Sequence, residues 1–276
     1  MSLAGTGSPR LMGILNVTPD SFSDAGRHFD PEVAIDHGLR MAAEGADIID
    51  IGGESTRPGA TRVGAAEQLQ RVLPVLTGLR RQLPAGCLLS IDTTQAEVAG
   101  AALAAGAGIV NDVSAGRDDP ALFDLVRHSG AGLILMHMQG TPMSMQTAPH
   151  YEDVVREVRE FLLGRAAAAE AAGIPREQIA IDPGIGFGKT KLHNLQLLAA
   201  LGTLVNSGYP VVLGASRKRF MGSICNVDEF HELVGATCAT TALGVMAGVR
   251  LFRVHDVREN RQALDVAWAL REQMQV

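Results

Sequence analysis

Apolar residues in this chain fall into eight short, nearly continuous runs, separated by longer amphipathic or alanine-rich stretches. The runs at 11–17, 46–51, 88–91, 108–113, 133–138, 179–181, 211–213 and 249–254 read as strands. The stretches 31–44, 65–82, 95–105, 119–129, 151–172, 191–206, 230–247 and 257–272 read as helices, so each strand has a helix after it. Runs without polar alternation mark strands covered on both faces, as in a parallel sheet flanked by helices. Right-handed crossovers make such units into an open sheet or a closed barrel. Eight units in 276 residues favour the (β/α)8 barrel. Local signals agree: Asp30 before Pro31 suits a helix start, and Gly130 follows a helical run where a left-handed stop suits glycine. No low-complexity linker divides the chain, so one domain is expected over 1–276, with residues 1–9 as a loose N-terminus.

Polar residues close these apolar runs almost everywhere. Asn16 ends the first, Asp50 lies near the end of the second, Asp92 ends the third, and Asn111 and Asp112 fall within the fourth. His137 stands near the end of the fifth and Asp182 ends the sixth. Ser216, Arg217 and Lys218 follow the seventh, and Arg253 and His255 lie at the end of the eighth. A buried polar group needs partners, so any one of these can serve an internal network. In a barrel, however, all of them surround one pocket at the C-terminal face. Asp and Asn suit the edge of a nitrogen-rich heterocycle, whereas Lys218, Arg253 and His255 suit phosphoryl oxygens. Asn16 is an oxygen ligand of the kind Mg²⁺ accepts. Long connections at 18–30, 52–64 and 139–150 leave the same face.

Composition narrows the class. Hydrophobic residues make up 46% of the chain and aromatic residues only 4%, so aliphatic side chains must fill the core. A net charge of −6 argues against a nucleic-acid footprint, which needs clustered positive charge. Cys87, Cys225 and Cys238 have no metal-ligand spacing, and no apolar run reaches membrane-spanning length. Met1 to Pro9 contains no apolar signal-like run, so a cytoplasmic protein without a membrane partner is expected. Gly184-Ile185-Gly186-Phe187-Gly188-Lys189-Thr190 invites comparison with a nucleotide loop. The Walker pattern nevertheless needs glycine where this chain has Pro183, and the segment follows the sixth strand, not the first.

Two longer motifs are more specific. Asn16-Val17-Thr18-Pro19-Asp20-Ser21-Phe22-Ser23-Asp24 and Asp50-Ile51-Gly52-Gly53-Glu54-Ser55-Thr56-Arg57-Pro58-Gly59 resemble the two opening signatures of the dihydropteroate synthase family. The likeness continues in order through Ser90–Thr93, Asn111-Asp112, Met136–Met138, Asp182–Lys189, Ser216–Lys218 and Arg253–Val257. The resemblance implies a (β/α)8 barrel, commonly a homodimer, that uses Mg²⁺ and is a sulfonamide target. It implies condensation of a dihydropterin diphosphate with 4-aminobenzoate, releasing diphosphate. It places Asp92, Asn111, Met136, Asp182, Phe187, Gly214 and Lys218 around the pterin, and Asn16 on the metal and diphosphate. Arg57, Lys218, Arg253 and His255 match the diphosphate and catalytic set. Phe22, Thr56, Pro58, Lys218 and Arg219 match the surroundings of 4-aminobenzoate. Arg219 is a departure, because some family members carry a small serine there. The first two long loops match a pair that closes over the site.

Overall fold

Period two along a strand sends alternate side chains to opposite faces, and the packing of this chain separates those faces cleanly. The computed structural model describes residues 3, 7–18, 30–55 and 59–274. Among them the chain runs β1 (Arg10–Asn16), α1 (Pro31–Ala43), β2 (Ile48–Gly52), α2 (Ala65–Gln82), β3 (Leu88–Asp92) and α3 (Ala96–Ala104). It continues through β4 (Ile109–Asp112), α4 (Ala121–Ser129), β5 (Gly132–Met136), α5 (Val154–Ala171), β6 (Ile179–Asp182), α6 (Lys191–Ala199) and α7 (Leu201–Val205). It ends with β7 (Val212–Leu213), α8 (Arg219–Cys225), α9 (Val234–Ala247), β8 (Leu251–Val254) and α10 (Val257–Met274). The strands are parallel in the order β6-β5-β4-β3-β2-β1-β8-β7. A parallel bridge between Ile181 and Val211 joins the two ends. This is the expected (β/α)8 barrel.

One face of the strands packs on helices: Leu15, Ile49, Ile51, Ile91, Val110, Leu133 and Phe252 share a core with residues of the surrounding helices. The other face makes a separate cluster of Met12, Ile48, Ile109, Ile134, Ala180, Val212 and Leu251, which fills the barrel interior. Leu3 belongs to that cluster, and its N–H donates to the Glu177 carbonyl at 2.8 Å. Within the stretch expected as a loose terminus, Leu3 is therefore buried as a plug at the bottom of the barrel. The polar strand ends identified from sequence stand above this apolar floor.

Helix boundaries follow local chemistry. The Asp30 carboxylate accepts from the Glu32 N–H at 2.9 Å ahead of Pro31. Thr190 caps α6 by accepting from the His193 N–H, and the His193 ring accepts from the Thr190 N–H in return. Gly130 ends α4 in the left-handed region with φ 68°. The stretch read as one helix over 191–206 is two, because the Ala200 carbonyl accepts from both the N–H and the hydroxyl of Thr203. The helix read from residue 230 begins as a 3-10 turn, Phe230–Glu232, before α9. α8 is an element the sequence reading did not contain. Among the described residues no helix is long and apolar enough to cross a membrane.

Candidate functional site

On four strands a floor residue is followed two positions later, on the same face, by a polar one. Two beyond Ile48, Ile109, Ala180 and Leu251 stand Asp50, Asn111, Asp182 and Arg253. Two beyond Ile134 and Val212 stand Met136 and Gly214. The next positions inward on β1 and β3, and just past β8, are Asn16, Asp92 and His255. Strand geometry thus turns an apolar plug into a polar tier in a single pleat.

Arg253 ties the tier together. Its Nε donates to Asp50 Oδ2 at 2.6 Å and its Nη2 donates to Asp92 Oδ2 at 2.7 Å. Asn111 Nδ2 donates to the same Asp50 oxygen at 3.0 Å. Asp182 Oδ1 accepts from the Gly184 N–H at 2.7 Å, which fixes one carboxylate oxygen and leaves Oδ2 toward Gly214. A side chain at Gly214 would stand 3.5 Å from Asp182 Oδ2 and 4.0 Å from Arg253 Cβ, so glycine keeps that space open. Gly52 lies between Asn16 and Asp92 in the same way. Burial pushes Asp92 up to about 7, with Arg253 opposing and Asp50 adding to the rise. Burial likewise raises Asp182, against the Gly184 hydrogen bond and the Arg253 and Lys218 charges.

The β6 loop forms one side of the pocket. Lys218 Nζ lies 4.1 Å from the centroid of the Phe187 ring, a cation–π contact. Phe187 packs against an apolar group made by Val113, Met136, Met138 and Met145. Gly184 has φ 64°, and any Cβ there would fall 1.9 Å from the His137 carbonyl oxygen, so the turn beside Asp182 requires glycine. The loop is anchored by Lys189, only 3% exposed. Its Nζ donates to the Gly184 and Phe187 carbonyls at 3.0 and 2.9 Å and faces His137 Nδ1 at 2.9 Å. Burial pulls Lys189 down to about 7. From sequence Lys189 stands only as part of the glycine motif, with no role assigned. Its signal was a lysine directly after three alternating glycines and before a helix cap.

His255 Nδ1 lies 3.0 Å from Ser216 Oγ, which also accepts from the His255 N–H at 3.2 Å. If the hydroxyl donates to Nδ1, the neutral ring keeps its proton on Nε2, a donor suited to an anion. Arg219 opens α8 with an exposed side chain whose guanidinium lies 5.8 Å from the Phe230 ring centroid. Asp112, also a strand-end carboxylate, caps the Ser114 and Gly116 N–H groups of its own turn. His137 is buried against the Phe161 ring edge and pushed down by burial. Phe22, Thr56, Arg57 and Pro58 lie outside the described residues.

The family model described as a pterin binding enzyme matches residues 12–255. The dihydropteroate synthase of Mycobacterium leprae is 49% identical over 277 residues, covering 98% of this chain and 95% of that protein. The Xanthomonas albilineans dihydropteroate synthase solved with 4-aminobenzoic acid superposes with a TM-score of 0.89 at 49% identity, covering 96% of this chain and 93% of that one. The same protein has been solved with 7,8-dihydropteroate, with a TM-score of 0.86, 45% identity and coverage of 98% and 95%. The Yersinia pestis dihydropteroate synthase, solved with a sulfonamide drug complex, has a TM-score of 0.90 at 40% identity, with coverage of 99% and 96%. This chain belongs to the pterin-binding enzyme family and, within it, to the dihydropteroate synthases.

Proposed function

We propose that this protein condenses (7,8-dihydropterin-6-yl)methyl diphosphate with 4-aminobenzoate to give 7,8-dihydropteroate and diphosphate, and that sulfonamides compete at its aminobenzoate site. The observation that carries the reading is the polar tier: Asp92, Asn111 and Asp182 offer acceptors to a heterocycle, beside cations suited to a leaving diphosphate. Relatives solved with 4-aminobenzoic acid and with 7,8-dihydropteroate support both ends of the reaction.

The residues divide the chemistry between them. The C–O bond at the pterin methylene breaks with its electron pair leaving on the diphosphate. Arg57, Lys218, the remaining Arg253 Nη1 group and His255 stabilise that charge. Positive charge spreads from the methylene into the dihydropterin, where Asp92 and Asp182 oppose it and Met136, Phe187 and Gly214 line the ring. The path is dissociative. The aniline nitrogen of 4-aminobenzoate then forms the C–N bond and loses a proton. Orientation is what it needs most, since its lone pair is already available. Phe22, Thr56, Pro58, Lys218 and Arg219 surround that ring in this reading.

Mg²⁺ is the proposed cofactor. Among the described residues no group of three or more His, Cys, Asp or Glu converges as a metal cage. Asn16 near Asp92 fits instead the mode in which Mg²⁺ keeps waters and substrate phosphate oxygens and takes few protein ligands. Bound there, Mg²⁺ would supply charge neutralisation to the diphosphate. We also read the protein as a cytoplasmic homodimer with one domain. Exposed Leu243 on α9 and Val266 and Leu270 on α10 support an apolar contact between copies.

The test is a coupled assay for diphosphate and dihydropteroate with both substrates and Mg²⁺. Stoichiometric appearance of the two products is expected, and silence from folded protein would overturn the reading. The raised Asp92 adds a pH dependence. Its carboxylate takes up a proton as pH falls through about 7, not near 3.8. The affinity for the dihydropterin diphosphate should therefore weaken below that pH, by at most about tenfold per pH unit. Calorimetry between roughly pH 5.5 and 8 reads this directly, and Asp92→Asn should flatten the profile. A flat wild-type profile would show that Arg253 keeps Asp92 ionised throughout.

A further inference from the structure

We propose that Asp50 is a specificity-determining positioning residue: it turns the Asn111 amide so that only the amide oxygen is left for the ligand, whose edge there must be an N–H donor. The inference deepens the dihydropterin reading above and rests on it.

An asparagine amide has an acceptor end and a donor end of nearly equal size, so its orientation is set by its partners. Asp50 is fully buried, at 0% exposure, and is ion-paired with Arg253. A carboxylate in that state only accepts. Asn111, itself buried, lies with one amide end 3.0 Å from Asp50 Oδ2, and that end must be the NH₂ group. Asn111 Oδ1 is then turned away from Asp50. It joins Asp92 on the neighbouring strand and Asp182 as a third acceptor facing the interior. A ring presenting an amino group and ring N–H groups suits this tier. An isostere with an oxygen or an unprotonated nitrogen opposite Asn111 meets acceptor against acceptor. Buried polar sites reject such mismatches strongly, because neither group recovers its lost hydration.

A second observation defines the test. Asp50 and Ser90 are register partners on β2 and β3. Asp50 Oδ1 and Ser90 Oγ have no hydrogen-bond partner among the described residues. In Asp50→Asn the new NH₂ can take the Oδ1 position, where it displaces no existing hydrogen bond. The other oxygen still accepts from Asn111, so the conservative variant preserves the orientation. Asp50→Leu removes the acceptor and leaves the Asn111 amide able to turn.

The experiment compares, by calorimetry at pH 8, the dihydropterin diphosphate with an isosteric analogue in which the edge N–H is replaced by oxygen. Wild type should prefer the N–H ligand by about a hundredfold or more. Asp50→Asn should keep that ratio, and Asp50→Leu should bring it to about tenfold or less. Affinity for Mg²⁺–pyrophosphate, measured alongside, reads any effect passed through Arg253 and should not track the ratio. Equal discrimination by Asp50→Leu and wild type would overturn the role of Asp50 alone, whereas failure of wild type to bind the dihydropterin diphosphate would overturn the functional reading. Should Asp50→Leu not fold, neutron diffraction from wild-type crystals decides. Deuterons on Asn111 directed at Asp50 support the proposal, and deuterons directed into the pocket overturn it.

Discussion

Replacing Arg253 by alanine is expected to destabilise the protein by about 3–5 kcal/mol. The guanidinium donates to Asp50 and Asp92 from two of its nitrogens, and both carboxylates are buried. Truncation leaves them close together without a cation, and it is this stranded charge, more than the lost contact, that sets the cost. The pH dependence has a definite sign. The buried acidic pair then holds a proton that the unfolded chain releases, so the loss of stability grows as pH rises above the ordinary carboxylate range and shrinks as pH falls toward it. Urea unfolding of Arg253→Ala and wild type at two pH values measures both effects. A loss under about 1 kcal/mol at neutral pH would show that another cation reaches the carboxylates. Arg253→Lys should fall between the two, because an ammonium keeps the charge but cannot span both oxygens as a planar fork does.

Asp182→Asn is expected to weaken binding of the dihydropterin diphosphate by about 2 kcal/mol or more, roughly thirtyfold, with little change in stability. The contrast follows from the two carboxylate oxygens having different partners. Oδ1 accepts from the Gly184 N–H, and an asparagine oxygen can do the same, so the turn survives. Oδ2 faces the open space at Gly214, and there asparagine presents a donor to a ligand edge that also donates. Calorimetry on the folded variant separates the cases. Unchanged affinity would reduce Asp182 to a cap for the glycine turn.

The barrel was legible in the chain because parallel strands covered on both faces show as unbroken apolar runs. Each of the eight was located to within two residues; in the fifth run the last two positions, His137 and Met138, leave the sheet. α8 was not legible: Arg219-Phe220-Met221-Gly222-Ser223-Ile224-Cys225 is too short for a helical period and carries an internal glycine. Nor was the break at Ala200, which depends on a threonine three residues later. The site divides in the same way. Asp92, Asn111, Asp182 and Arg253 announce themselves as polar residues ending apolar runs. Their partnerships do not, since Arg253 meets Asp50 across 203 residues and Asp92 across 161. Arg253 was expected on the diphosphate, yet two of its nitrogens serve carboxylates. Lys189 looked like part of a loop motif, and only the fold shows it surrounded by carbonyls.

The plug formed by Leu3 with Met12, Ile48, Ile109, Ile134, Ala180, Val212 and Leu251 closes the bottom of the barrel, so the polar tier is the end of a blind well. A well with one mouth ranks its contents by depth. A ligand resting on Asn111 and Asp182 is expected to enter ahead of anything seated nearer the rim. The order of entry expected of its two substrates thus follows from which end of the strands was left apolar.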